Sequence, residues 1–235
     1  VEQSIYFKEI SSKISEARNY CRELSSVLPS IISASELNVW SKAPYKALCI
    51  STSLGHRMLD LVEMSAEALE RRKWASAATL ARAAMETSAL SWELKRTMEG
   101  VHLTPAAHFH EKLDRMLLGH KDKSIGDVEA INVLTTIPRM ALEFPALDKT
   151  YFGLCEVAHP NWSGALGLFA KTNYEDFETS FGPQPENSHG LIAANAIVVS
   201  ISIQLHAINR TSLLIEEWRR QLPTLDDPRP PDPGH

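Results

Sequence analysis

A single all-α domain, a bundle of six to eight helices spanning residues 1–222, is the fold this sequence predicts. Three observations predict it. Glycine is scarce, 10 of 235 residues, which argues against glycine-rich phosphate loops and tight-turned all-β folds. Apolar side chains recur at helical intervals, and short β-branched runs such as Ile197-Val198-Val199 lie inside those longer patterns. With 44% hydrophobic residues, the chain can bury one sizeable core.

A first helix is expected from about Ser4 to Leu28. Ile10, Ile14, Ala17, Cys21, Leu24 and Leu28 form a narrow seam on it, the width a coiled-coil contact uses, and Pro29 ends it. Residues 30–44 read as a connector with Ile31, Ile32 and Trp40 tucked down. A second helix runs from near Tyr45 to Arg72. A third, from Trp74 to Met98, is rich in alanine, so neighbouring helices can approach closely. Thr104-Pro105 opens a fourth by the cap-then-proline rule, and Gly119 stops it. Ser124–Phe144 is a fifth, kinked or split at Pro138. Leu147–Ala158 is a short sixth, ended by Pro160. Gly164–Ala170 adds a turn of helix, Lys171–Gly190 is an acidic loop, and Leu191–Leu222 is the last helix. Residues 223–235 hold five prolines and read as a disordered tail.

Charge and cysteine usage narrow the function classes. The net charge is −5, which argues against nucleic acid as a partner, because phosphate contacts need concentrated basic surface. The three cysteines are far apart and fit neither a disulfide framework nor a zinc knuckle. The N-terminus lacks an apolar segment behind a basic patch. From Asn187 to Asn209 no Asp, Glu, Lys or Arg occurs, a run long enough to cross a bilayer. The many Asn, Ser, Gln and His within it favour a buried bundle helix instead. The cytoplasm is the expected location, with no membrane partner.

The phosphate-loop, dinucleotide, nucleophile-elbow and zinc-protease motifs are absent. No cofactor or metal is expected. His102, His108, His110 and His120 lack a metal-ligand spacing.

Three constellations remain. Between Lys73 and Glu93 the only charges are Arg82 and Glu86, four apart and on one helix face. They read either as a structural pair or as a guanidinium offered to an anionic ligand. After the helix carrying Tyr151 comes His159-Pro160-Asn161-Trp162. Its histidine suits proton transfer, with Glu156 or Glu86 to orient it, and its bland reading is a packed corner with Trp162 in the core. On the last helix, Asn195, Ser202, His206 and Asn209 form one polar stripe, which either bonds other helices or lines a wet pocket.

The run from Tyr151-Phe152-Gly153-Leu154-Cys155-Glu156 to His159-Pro160-Asn161-Trp162-Ser163-Gly164 resembles a family of all-helical bacterial proteins of unknown function. Their signature is Tyr-x-x-Leu-Ser-Glu-x-x-His-Pro-Asn-Trp-x-Gly, so this chain has Cys155 where the pattern prefers serine. The family's upstream Arg-x-x-x-Glu is matched by Arg82 and Glu86, and its Leu-x-x-Gly segment by Leu117-Leu118-Gly119. The resemblance implies that Arg82, Glu86, Tyr151, Glu156, His159, Asn161 and Trp162 belong to one cluster. Separately, Arg115-x4-His120 is similar to the RxxxxH spacing of the HEPN ribonuclease superfamily, which implies an arginine and a histidine acting on an RNA phosphate.

The leading expectation is a helical module with a polar cleft for a small or anionic ligand, self-associating through the first helix. The cleft requires Arg82 or Glu86 in contact range of His159. The alternative is an enzyme, either a HEPN-like ribonuclease or a His-dependent hydrolase.

Overall fold

The computed structural model describes residues 2–103, 105–182, 188–224 and 226–227. The all-α expectation holds: eight helices and one two-stranded hairpin make up the fold among these residues. Four long helices build the core: α1 (Glu2–Val27), α2 (Ala43–Glu70), α3 (Trp74–Glu99) and α8 (Ser188–Arg219). The shorter α4 (Ala106–Leu118), α5 (Val133–Ala141), α6 (Leu147–Ala158) and α7 (Leu166–Phe169) flank it.

The centre of the bundle is α3 against α8. Ala77, Ala78, Ala81, Ala84 and Ala89 of α3 are all fully buried, as the small side chains of this helix led us to expect. Trp74 lies over Gly190, where a β-carbon would come within 2.7 Å of the indole. At the other end Arg210 Nε lies 3.5 Å from a Glu99 carboxylate oxygen. Start meets start and end meets end, so the two helices run parallel.

The α1 seam is spent inside the chain. Ile10, Ile14, Ala17, Cys21 and Leu24 are at most 4% exposed, because α1 packs on α8 and α2. The feature that suggested a contact with a second copy is therefore covered by this chain's own helices. Similarly, α8 has the length and mean hydropathy of a membrane span, and most of its apolar residues pack against α1, α2, α3 and α6, with Val199 and Leu213 left exposed.

Five local expectations are corrected. The helix predicted over 124–144 shrinks to α5, because Asn132 caps at 132: its side chain accepts from Leu134 N at 3.0 Å. The 171–190 loop contains a hairpin, β1 (Ala170–Asn173) paired antiparallel with β2 (Glu178–Phe181), Thr172 opposite Thr179. Ile31 is 82% exposed rather than tucked down. Pro105 is the N-cap residue of α4 rather than its first helical residue, while Thr104 lies outside the described residues. The start of the predicted tail is tied down: Val39 bridges Thr224, and Trp40 N donates to Pro223 O at 3.2 Å. Residues 228–235 lie outside the described residues.

Candidate functional site

The α3 helix carries two clusters of charge on its flanks. The first is the anticipated one. Arg82 Nε donates to Glu86 Oε1 at 3.1 Å across one helical turn, as four-residue spacing allows. Tyr151 of α6 is 2% exposed and donates its O–H to the same Glu86 oxygen at 2.9 Å. The Arg82 guanidinium also sits 5.7 Å from the centre of the Tyr151 ring, a cation–π distance. Burial, then the neighbouring Glu86, pushes the Tyr151 phenol up to about 12. No buried polar atom of this triad lacks a hydrogen bond, the outer edges of Arg82 and Glu86 stay about a third exposed, and none of the three residues lines a cavity described below.

The rest of the expected cluster is elsewhere. Glu156 lies five residues after Tyr151, about 140° around α6, and faces solvent. It accepts from Asn161 Nδ2 at 2.6 Å, while Asn161 Oδ1 accepts from Gly164 N at 3.0 Å. These bonds lock the corner after α6. His159 is exposed, and its side chain makes no hydrogen bond or ion pair among the described residues. Pro160 forces the preceding residue out of helical geometry (φ −81°, ψ 145° at His159), which swings the imidazole outward. Gly164 closes the corner from beneath, where a β-carbon would fall 1.9 Å from the His159 carbonyl oxygen. Trp162 is 71% exposed, so it does not plug the core. The expected contact of Arg82 or Glu86 with His159 is thus not formed, and the residues fall into two groups, Arg82–Glu86–Tyr151 and Glu156–Asn161.

The α8 stripe is the solvent side of that helix. Ser202 and His206 are exposed, because α1, α2, α3 and α6 claim its other faces. Only Asn195 touches a cavity, a small apolar one of about 120 Å³ beside Met85 and Phe144.

The Arg115/His120 pair does not form one helical unit. Arg115 Nε donates to Glu129 O at 3.0 Å, so the guanidinium braces the following loop. The backbone turns extended at Gly119 (φ −70°, ψ 135°), and α4 ends before His120. A side chain at 119 would strike Arg115 O at 2.3 Å.

The second cluster was missed by sequence reasoning. At the C-terminal half of α3, Trp92, Glu93 and Arg96 join Lys112 of α4, Arg139 of α5 and the Leu142–Glu143 turn around a cleft of about 430 Å³. Glu93 is 2% exposed. Lys112 Nζ lies 2.5 Å from its Oε1 and an Arg139 nitrogen 2.8 Å from its Oε2. The Arg139 contact is close but off the hydrogen-bonding direction, so Oε2 is a buried oxygen without a hydrogen bond. Arg139 is held instead by its own helix, Nε donating to Thr135 O at 3.2 Å. Across the cleft, Glu143 accepts from Trp92 Nε1 at 2.7 Å and from the buried Lys95 Nζ at 2.9 Å. Burial works to raise the Glu143 carboxyl, but these two bonds outweigh it and hold the group below its ordinary range. The Arg96 guanidinium lies 5.4 Å from the Trp92 ring centre, a cation–π distance; its charge helps to lower Glu143, but it forms no ion pair among the described residues. Arg96, Lys112 and Arg139 thus line the cleft with Glu93 and Glu143 as its lining acids.

The cleft differs in charge from the two larger concavities. A larger groove of about 620 Å³ between α1 and α2 sets Arg18 and Arg22 against Glu63, Glu67 and Glu70. Both of its arginines are occupied, Arg18 by Glu70 through two bonds of 2.6 and 2.9 Å and Arg22 by Asn19. The hairpin groove has Lys171 as its one lining cation. No group of three or more metal-ligating side chains occurs among the described residues.

Fold and site together define a class, an all-α bundle with a charged cleft at one end of its central helix. Compared with family models, with curated proteins and with solved structures, the chain matches none of them.

Proposed function

We propose that this protein is a helical binding module whose cleft between α3, α4 and α5 takes a small anionic ligand. The supporting observation is Arg96. It lies within cation–π distance of Trp92 and lines a cleft of about 430 Å³, a ligand-sized volume, and it forms no ion pair among the described residues in a site that already neutralises its two acids. A guanidinium without an ion-pair partner suits a carboxylate or phosphate, which its fork can grip with two parallel hydrogen bonds. The reading keeps the expected ligand class and moves it from Arg82 to Arg96, since Arg82 is consumed by Glu86 and Tyr151.

The test is thermal unfolding with succinate or inorganic phosphate at millimolar concentration. A ligand that binds only the folded state raises the melting temperature. We expect a rise that shrinks with added sodium chloride and vanishes in Arg96→Gln. An unchanged melting temperature with both anions refutes the assignment.

A further inference from the structure

We infer that the occupant of the α3–α4–α5 cleft is a hydroxylated anion, whose hydroxyl donates to Glu93 Oε2 while its acid group meets Arg96. The inference rests on the reading of the cleft as an anion site and adds the chemistry of the ligand's other end.

Glu93 Oε2 is the reason. Glu93 lines the cleft, and its Oε2 is buried beside the Arg139 side chain and accepts no hydrogen bond. A carboxylate oxygen in that position is costly until a donor reaches it. The protein supplies none: Lys112 is on the other oxygen, and Arg139 is misaligned and tied to the Thr135 carbonyl. A ligand that enters the cleft and shifts the Arg139 side chain, 51% exposed, can supply it.

The kind of donor follows from charge. Two cations already bracket this carboxylate, at 2.5 and 2.8 Å. An ammonium brought to Oε2 would meet both as a third like charge, which disfavours it. A neutral O–H donates without that repulsion. The spacing follows from the helix. Glu93 and Arg96 are three residues apart on α3, so they are neighbours on one face, roughly 5–6 Å apart at their β-carbons. A hydroxyl and an acid group a few bonds apart in one small molecule span that distance.

Malate, succinate and aspartate test this on the full chain, since they differ only in carrying a hydroxyl, a hydrogen or an ammonium at one carbon. Glycerol 3-phosphate and propyl phosphate repeat the contrast with phosphate as the acid, so the pair that binds identifies the acid group. In calorimetric titrations we expect the hydroxylated member of that pair to bind about tenfold more tightly than its hydroxyl-free partner, the scale of one hydrogen bond to a charged acceptor. Aspartate should bind more weakly than malate. Arg96→Gln, an exposed position whose fold is checked by circular dichroism, should weaken every probe that binds. Equal affinities with and without the hydroxyl, both lost in Arg96→Gln, overturn this inference and leave the anion site standing. Aspartate binding more tightly than malate also overturns it. No binding by any of the five overturns both.

Discussion

The two charge clusters on α3 use the same side chains and reach opposite ends. Around Glu86 the partners are a residue one turn away and a phenol from α6, and no buried polar atom is left without a hydrogen bond. Around Glu93 the partners come from α4 and α5, one buried carboxylate oxygen is left without a hydrogen bond, and Arg96, beside the Trp92 ring, is left without an ion pair among the described residues. The difference is what separates a brace from a site. A brace satisfies its own polar groups, whereas a binding site holds donors and acceptors apart so that another molecule completes them. The geometry of the ion pair does not distinguish them. The residual valence does.

Removing the cations exposes the contrast most strongly. Lys112→Ala combined with Arg139→Ala leaves the Glu93 carboxylate 2% exposed and without a countercharge. Stranding a buried charge costs about 3–5 kcal/mol. Arg82→Ala should cost far less, because Glu86 keeps its Tyr151 bond and is 32% exposed at its side chain. Urea denaturation of both variants reads the difference, and equal losses would erase the distinction between the clusters.

The next largest effect belongs to the phenol. Tyr151→Phe removes one bond to a charged acceptor while keeping the ring under Arg82, a loss of about 1.5 kcal/mol. The same residue gives a pH signature. Its folded value is raised to about 12 from an ordinary 10, so its contribution is complete below pH 10 and is lost as pH climbs toward 12. Ultraviolet titration of the five tyrosines should therefore end on a late-ionising group that is missing from Tyr151→Phe. A titration unchanged by the substitution places the brace's phenol in water.

How far each cluster could be read beforehand follows from sequence separation. Arg82 and Glu86 are four apart on a nearly uncharged helix, and helical geometry alone makes them a pair. Tyr151 came into view only through the resemblance, and that resemblance drew in His159 and Trp162, which face solvent. The cleft depends on pairings 48 and 51 residues apart, Lys95–Glu143 and Trp92–Glu143, and periodicity carries no information at that range. One signal was available. Glu93 and Lys95 stand two apart at the end of an apolar helix, so they point in different directions, and each requires its own partner from another element. The hairpin was invisible for a different reason. Its strands are four residues each and solvent-exposed on nearly every position, so they lack the alternation that marks a half-buried strand.

The smallest effect is also the one that ties the cleft's far wall to its acid sensitivity. Glu143 is held below its ordinary 4.5 despite burial, by Trp92 and Lys95. A carboxyl lowered in the folded state favours folding above its unfolded value, and that contribution fades as pH falls from about 4.5 through the folded value. Glu143→Gln should then destabilise the protein modestly at neutral pH and flatten the stability profile below pH 4.5. The side chain is 37% exposed, so solvent screens the pair and the change is small beside the loss of Lys112 and Arg139. Because Lys95 is 5% exposed and bonds this acid, a glutamine that keeps the Trp92 bond but loses the charge isolates the Lys95 pairing. If the acid limb is as steep in Glu143→Gln as in the parent, Glu143 is no part of the cleft's charge balance, and Lys95 would add a further uncompensated cation to the ligand's side of it.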